Sequence, residues 1–314
     1  MTTVEEAAGS VTARPAHRMR YLFDRAGVLG PAMLIPAVLY LILVVGYPLV
    51  LAFLYAFSNA TVGSQSLHFV GVQTFIAAIH DPVFLTALKN TVIITLISQA
   101  LVVVLSTVLA FVLTADFKGK WILRFLVLLP WATPVALSAV VWLWMLDSIF
   151  SPFDYFAQVF GVVPPGGHVI FLGRSTLAMG SVIALQTWRI LPLATVILMA
   201  GLSSIPQDVK DAAEVDGAGF WRKMFGVTIP LLTPVIMVAL LFGIVFTFTD
   251  MAVVFILTGG GPGNATQVLA SWAFYKGVNG GDLSFGAADA LFMFPVLLIL
   301  AAVMLRIAAK AGRR

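Results

Sequence analysis

Residues 96–113 read LISQALVVVLSTVLAFVL. This stretch carries no charged residue, and its apolar side chains do not alternate with polar ones. A β-strand that crosses a membrane alternates over segments of about ten residues, whereas a helix that crosses one needs about 20 predominantly apolar residues. The stretch therefore predicts a membrane-spanning α-helix and makes a closed β-barrel a poor alternative.

The rest of the chain has the same character. Of its 314 residues, 61% are hydrophobic and only 10% are charged, where a soluble domain carries about 25% charged residues. Six segments are long and apolar enough to span a membrane: about 30–57, 87–115, 123–147, 175–202, 229–257 and 285–308. We therefore expect an all-α membrane protein with six transmembrane helices.

The basic residues predict the side on which each loop lies, because Lys and Arg are enriched in cytoplasmic loops. With six spans, fourteen of the 18 basic residues fall on one side: Arg14, Arg18, Arg20, Arg25, Lys118, Lys120, Arg124, Lys210, Arg222, Lys223, Arg306, Lys310, Arg313 and Arg314. The opposite side has Lys89, Arg174 and Lys276, and Arg189 lies within a span. Both termini are therefore expected in the cytoplasm.

No pattern of catalytic or metal-binding residues is present. The chain has no cysteine, so it has neither disulfides nor thiolate ligands. The four histidines lie far apart without the spacing of a metal site, and no pair of acidic residues suggests acid–base catalysis. The phosphate-binding loop Gly-x-x-x-x-Gly-Lys-Ser/Thr is also missing. We expect no catalytic residue, no metal and no cofactor in this chain.

A charged, alanine-rich segment separates the fourth and fifth spans. A short helix is expected from about residue 205 to 215, with Pro206 in its first turn. Val209, Ala212 and Ala213 fall on one face, Lys210 and Glu214 can pair at i, i+4, and Gly217 permits the turn that ends the helix. Carboxylates surround this small face, at Asp211, Glu214 and Asp216. The residues alone allow either a surface helix that caps the bundle or a docking helix for a basic partner.

The segment DAAEVDGAGFWRKMFGVTIPLLTP, residues 211–234, resembles the EAA loop of binding-protein-dependent ABC importers. That pattern is Glu-Ala-Ala, three residues, Gly, nine residues and Ile-x-Leu-Pro. Ala212, Ala213, Gly217 and Pro230 match it, while Asp211, Val227 and Ile229 depart from it conservatively.

Further segments resemble the carbohydrate-uptake permeases, over roughly residues 28–306: FVGVQTF (69–75), DPVFLTALKNT (81–91), LQTWRILPLATVILMAGLSSIP (185–206) and FILTGGGPGNATQVL (255–269). The glycine-rich LTGGGPGNATQ resembles the first of the two paired membrane subunits, the kind found in maltose and glycerol-3-phosphate systems.

The resemblance implies a permease subunit of an ATP-driven importer for a sugar or related polyol. It would be a multi-pass protein of the bacterial cytoplasmic membrane, surrounded by lipid and without a nucleic-acid partner. The implied partners are a second permease subunit, a dimer of ABC ATPases that binds ATP and Mg²⁺, and an extracytoplasmic solute-binding protein.

The implied organisation is a cytoplasmic tail over residues 1–27, a transmembrane permease domain over 28–308 and a second tail over 309–314. The coupling loop would span residues 203–228. Within it, the residues implied to contact the ATPase are Asp211, Ala212, Ala213, Glu214, Asp216 and Gly217.

Polar and aromatic side chains inside the spans are candidates for the solute path, because ionisable groups in hydrocarbon usually face a partner or a wet cavity. The candidates are Trp142, Trp144, Gln186, Trp188, Arg189, Thr247, Thr249 and Asp250. The two tryptophans of the third span could instead anchor the helix at the membrane interface. Counted from the outer span ends at 1.5 Å per residue, Arg189 and Asp250 differ in depth by roughly 12 Å, which argues against a direct ion pair.

Two other functions stay open at this point. A secondary transporter could couple a proton gradient through Arg189 and Asp250, and it would need neither an ATPase partner nor ATP. A scaffold without transport activity would leave the polar residues within the spans unexplained.

Overall fold

The computed structural model describes residues 26–64, 67–164 and 166–311. Within these ranges the regular structure is helical, apart from one isolated antiparallel bridge between Ser58 and Phe69. The α-helices are α1 (Ala26–Leu41), α2 (Tyr47–Ala56), α3 (Gln73–His80), α4 (Pro82–Thr114), α5 (Lys120–Ala132), α6 (Val135–Met145), α7 (Pro152–Val159), α8 (Ser175–Ser204), α9 (Gln207–Val215), α10 (Phe220–Lys223), α11 (Ile229–Phe248), α12 (Ala252–Leu257), α13 (Leu269–Phe274) and α14 (Leu283–Ala311). The predicted all-α fold class is confirmed.

Within the described residues, three π-helical segments extend these helices, over Ile42–Gly46, Met224–Thr228 and Tyr275–Asn279. The chain divides into two compact units, Met1–Leu51 and Ala52–Arg314. The described part of the first unit consists of α1, the first π-helical segment and the beginning of α2. The remaining helices belong to the second unit.

Five helical segments of the described chain are long and apolar enough to cross a membrane: Gly30–Ala56, Pro82–Thr114, Ser175–Ser204, Phe220–Phe248 and Leu283–Lys310. The span predicted over 123–147 is instead bent by 101° between α5 and α6. Pro134 causes the break, because a proline disfavours helical geometry in the residue before it, and Thr133 is extended with ψ 131°.

The span predicted over 229–257 also differs from a single straight helix. It begins earlier, since the π-helical segment joins α10 to α11, and α11 ends at Phe248. The chain then turns at 249–251, and α12 packs against α6 and α8. This turn places Asp250 at the end of a helix.

Helix α8 is at the centre of the second unit, where it packs against α4, α5 and α11. The side of α4 that faces its neighbours is largely polar or small, with Thr91, Ser98, Gln99 and Ser106 buried. Its outward side carries large aliphatic residues such as Val104. Lipid is as apolar as leucine, so helices in membranes associate through close packing and interhelical hydrogen bonds. This explains why the polar side of α4 is the buried one.

The beginning of α4 and the loop before α13 are fixed to each other at the end of the bundle that lies farthest from α9 along α8. Asp81 accepts hydrogen bonds from the backbone N–H groups of Val83 and Phe84 and caps α4. The Asn90 amide donates to the carbonyl oxygens of Ala265 and Gln267, at 3.0 Å each. The glycine-rich loop is therefore attached to a span.

Candidate translocation path and coupling helix

Arg189 and Asp250 form an ion pair between α8 and the turn after α11. The Arg189 Nη2 lies 2.6 Å from Asp250 Oδ2 and also donates to Gln186 Oε1 at 2.9 Å. The side chains of Arg189 and Asp250 are 10% and 9% exposed. Asp250 Oδ1 accepts the N–H of Val253 in the first turn of α12. One carboxylate therefore connects three helices.

This contact corrects the expectation that the two residues are too far apart in depth to pair. The depth count assumed a straight helix that continued to residue 257. Because the helix ends at Phe248, Asp250 is not seven residues below the end of a continuous span. The turn and the length of the arginine side chain bring the two charges into contact.

A second polar contact links α4 to α11. It involves Thr247, which lies close to Asp250 in the sequence. The Gln99 Nε2 donates to Thr247 Oγ1 at 3.0 Å, and both residues are buried. Gly243 lies one turn before Thr247, and a Cβ at that position would overlap the Gln99 amide. Gln99 was not among the predicted site residues, although a glutamine inside an uncharged apolar run was a signal for it.

The aromatic candidates separate into two groups. Trp142 and Trp188 pack together with ring centroids 5.9 Å apart, and Phe153 adjoins Trp142 at 6.4 Å. Trp144 points outward and is 61% exposed. The structure therefore brings Trp142 next to the predicted path residues of α8 and leaves Trp144 on the surface.

Of the remaining candidates, Thr249 is exposed, and its hydroxyl donates to the Val245 carbonyl in the last turn of α11. Gln186 is 1% exposed. The described structure thus joins Gln186, Arg189 and Asp250 in one network and Thr247 to Gln99 in another. It does not bring Trp144 or Thr249 into either.

Helix α9 lies between α8 and α10 and ends in a Schellman motif. The Ala218 N–H donates to the Ala213 carbonyl and the Gly217 N–H to that of Glu214, both at 2.9 Å. Gly217 has φ 72°, in the left-handed region that glycine adopts without steric cost. The expected helix and its glycine turn are both found.

The side chains of α9 are distributed differently from the prediction. Ala213 is 8% exposed and faces the bundle, while Val209 and Ala212 are exposed. Glu214 pairs with Lys223 of α10 at 2.5 Å and not with Lys210. The loop after Gly217 turns α10 back toward α9, and this brings the two charges together across nine residues.

Two carboxylates, Asp211 of α9 and Asp216 directly after it, lie on the open side of the helix. Asp211 and Asp216 are exposed, and Asp211 accepts a hydrogen bond from Gln207 at 2.9 Å. The accessible surface of α9 therefore includes Val209, Ala212 and these carboxylates, together with Gln207, Asp208 and Val215.

Comparisons with known proteins identify related sequences and similar folds. The profile of a protein family described as "Binding-protein-dependent transport system inner membrane component" matches residues 103–312. The chain is 30% identical over 283 residues to the trehalose/maltose transport system permease protein MalF of Thermococcus litoralis, covering 90% of this chain and 94% of that protein. It is 31% identical over 283 residues to the sulfoquinovosyl glycerol transport system permease protein SmoG of Agrobacterium fabrum, covering 89% of this chain and 90% of that protein.

Among solved structures, the chain is similar to one from a bacterial ABC transporter involved in the import of the acidic polysaccharide alginate. The TM-score is 0.78 at 19% identity, and the match covers 92% of this chain and 97% of the other. A second structure of a bacterial alginate ABC transporter, in complex with an alginate pentasaccharide-bound periplasmic protein, matches with a TM-score of 0.77 at 18% identity, over 92% of this chain and 96% of the other. At this identity, the match shows the fold.

Proposed function

Because the chain belongs to the inner membrane components of binding-protein-dependent transport systems, we propose that it forms half of the translocation path of an ATP-driven importer for a sugar or related polyol. A second permease subunit forms the other half, and separate ATPase subunits supply the energy. An extracytoplasmic binding protein delivers the solute.

The observation that carries this proposal is the position of α9. It is a short, exposed, acidic helix fixed between two spans by the Gly217 turn, and it has the residue pattern of an EAA loop. We assign it as the coupling helix, with Val209, Ala212, Asp211 and Asp216 facing the ATPase. Ala213, Glu214 and Gly217 hold the helix in place. This end of the bundle is the cytoplasmic one in our proposal, as the distribution of basic residues predicts.

Closure of the ATPase dimer would move α9, and α8 would carry that movement to the polar networks near its centre. The solute path then opens alternately to each side, since nucleotide and solute each favour one of two states of the same bundle.

The Arg189–Asp250 pair bears on the kind of solute. A lone buried arginine in the path would favour an anionic solute, but Asp250 neutralises this one at 2.6 Å. The path near α8 instead offers paired polar groups and the Trp142–Trp188 pair, which suit the hydroxyl groups and apolar ring faces of a neutral sugar. The relative named for trehalose/maltose transport agrees with a neutral, hydroxyl-rich solute, whereas the one named for sulfoquinovosyl glycerol takes a solute that is hydroxyl-rich but carries a sulfonate.

The test is purification of the tagged chain in mild detergent, identification of the subunits that co-purify, and assay of ATP hydrolysis with a binding protein loaded with a neutral disaccharide or with an anionic sugar. We expect a second permease, an ATPase, and hydrolysis stimulated by the neutral load. A lone chain that transports under a proton gradient and ignores ATP would overturn the proposal in favour of a secondary transporter.

A further inference from the structure

A cationic cavity lies between α9 and the ends of α4, α5 and α8. Its volume is about 440 Å³, and its polar lining includes Thr114, Arg124, Lys210, Glu214 and Lys223. Three cations and one carboxylate face this space. Because Glu214 neutralises only Lys223, the cavity has an excess of two positive charges.

The other two cations have donor groups left over. Lys210 has no ion pair within the described residues. Arg124 donates through Nη2 to the Leu113 carbonyl at 2.8 Å. The Arg124 Nε is buried and has no hydrogen-bond partner in the described chain. A buried donor without a partner is costly, so this position is suited to an acceptor supplied by a ligand.

An apolar groove adjoins the cavity. It has a volume of about 540 Å³ and runs along α4 from Val103 to Val112, opposite Trp221 and Phe225. Nine residue steps of helix give it a length of about 14 Å. The cavity and the groove are both lined by Phe111, Phe220 and Met224. The cationic cavity and the apolar groove are therefore direct neighbours.

The junction carries exposed aromatic residues of the kind found at the surface of a bilayer. Trp221 and Phe225 stack with centroids 6.0 Å apart and are 67% and 61% exposed. Tryptophan side chains in such positions lie at the headgroup level, and lysine extends toward water from the same level. Lys223 is two residues from Trp221 in α10.

We propose that the cavity and groove together bind one anionic phospholipid of the inner leaflet. Its phosphate lies among Lys210, Lys223 and Arg124, and one acyl chain lies in the groove beside Trp221. Basic pockets between spans on the cytoplasmic side bind anionic headgroups, and the apolar groove distinguishes a lipid from a soluble anion. The assignment to the inner leaflet rests on the orientation in the proposed function.

The experiment uses the complete transporter, stripped of lipid in detergent and incubated with phosphatidylglycerol or phosphatidylcholine of the same chain length. Native mass spectrometry then counts the lipid retained on this subunit. We expect retention of one phosphatidylglycerol and about fivefold less in Lys210→Gln, the effect of one surface cation. Lys118→Gln is the matched control, because Lys118 is exposed at the same end of the bundle and outside the cavity.

A second pair of variants tests the groove. Val108→Trp fills it and should lower retention, whereas Val303→Trp changes an exposed valine of α14 outside the groove and should not. Equal retention by Lys210→Gln and Lys118→Gln, or equal retention of the two lipids, would overturn the proposal. So would displacement by inorganic phosphate with no effect of Val108→Trp, which would indicate a soluble anion, or a cross-link from Val108→Cys to a partner polypeptide.

Discussion

Arg189 on α8 and Asp250 after α11 are 61 residues apart in sequence, yet their side chains meet at 2.6 Å, almost fully buried. Asp250 also accepts a hydrogen bond from the N–H of Val253 in the first turn of α12. The pair is therefore a junction between a span and the helix that follows the break. Removal of either charge alone would leave the other one buried without a counter-charge.

The first prediction concerns this pair. Asp250→Asn leaves the Arg189 charge buried without a counter-charge, and such a loss costs about 3–5 kcal/mol. We expect a large drop in the thermal unfolding midpoint in detergent and loss of transport. The double variant Arg189→Gln/Asp250→Asn should recover at least half of the lost stability, since replacing both charges is often nearly neutral.

Asp116→Asn is the control for this prediction. It breaks the pair with Lys120, in which the aspartate side chain is 99% exposed, and exposed pairs contribute about 0–1 kcal/mol. Equal effects of Asp116→Asn and Asp250→Asn, or a double variant less stable than either single one, would contradict the assignment of a coupled buried pair.

The second prediction concerns the close contact between α4 and α11. In Gly243→Ala the new methyl group would overlap the Gln99 amide and displace it from Thr247. Overpacking of this kind costs about 1–3 kcal/mol. Gly180→Ala is the matched control, because nothing lies within 4 Å of a Cβ there. The thermal unfolding midpoint of Gly243→Ala should therefore lie below that of Gly180→Ala. Adding Gln99→Ala should restore part of the stability lost in Gly243→Ala.

Much of the fold follows from hydropathy, and the exceptions have identifiable causes. The spans around residues 96–113 and 175–202 were predictable because a long uncharged run has no soluble alternative. The bend at Thr133 also had a local signal in Pro134, which the hydropathy pattern obscured. The break at 249–251 has no proline or glycine, so it depends on the packing of α12 against α6 and α8.

The sequence predicted which residues belong to the candidate site better than it predicted their contacts. Rare polar residues within spans identified Gln186, Arg189 and Asp250, but their pairing depended on the unpredicted break. The helix between the fourth and fifth predicted spans followed from local pattern, whereas the contact between Glu214 and Lys223 depended on the loop that turns α10 back. Contacts through such turns are set by tertiary structure and are not encoded in helical spacing.

The third prediction tests the open face of α9. Ala212→Lys places a cation on the acidic, exposed side that we assign to the ATPase contact. We expect the rate of ATP-driven solute transport to fall at least about tenfold, which corresponds to a free-energy change of about 1.4 kcal/mol. The subunits should still co-purify. Ala115→Lys makes the same change at an exposed site after α4 and should have little effect. Normal coupling in Ala212→Lys would contradict the docking role.

The fourth prediction concerns the end of α9. Gly217→Val requires a β-branched residue at φ 72°, where a side chain costs roughly 1–2 kcal/mol. Gly217→Asn should be tolerated better, because asparagine also occupies this position at helix ends. Limited proteolysis between residues 203 and 228 should therefore be faster in the valine variant, with the asparagine variant close to wild type. Identical cleavage rates in the two variants would indicate that the turn does not need a left-handed residue.

The last prediction is a pH dependence in the contact between Asp154 of α7 and the loop that follows this helix. The N–H of Val169 donates to Asp154 Oδ1 at 2.8 Å, and His168 Nδ1 lies 2.7 Å from Oδ2. The Val169 hydrogen bond is the main cause that lowers the pKa of Asp154 below its usual 3.8; burial opposes it and His168 adds to it. A carboxyl group with a lowered pKa in the folded state stabilises that state above its unfolded pKa, and the contribution is lost as the pH falls through the folded value.

Asp154→Asn should therefore weaken protection of the Val169 amide most at neutral pH, and the difference from wild type should shrink below about pH 4. Hydrogen exchange of residues 166–173, corrected for intrinsic rates, measures this. His168→Gln should have a smaller effect than Asp154→Asn, because the backbone hydrogen bond stays. A difference that grows on acidification would have the wrong sign for a carboxylate held by an N–H donor and would place the titration on another group.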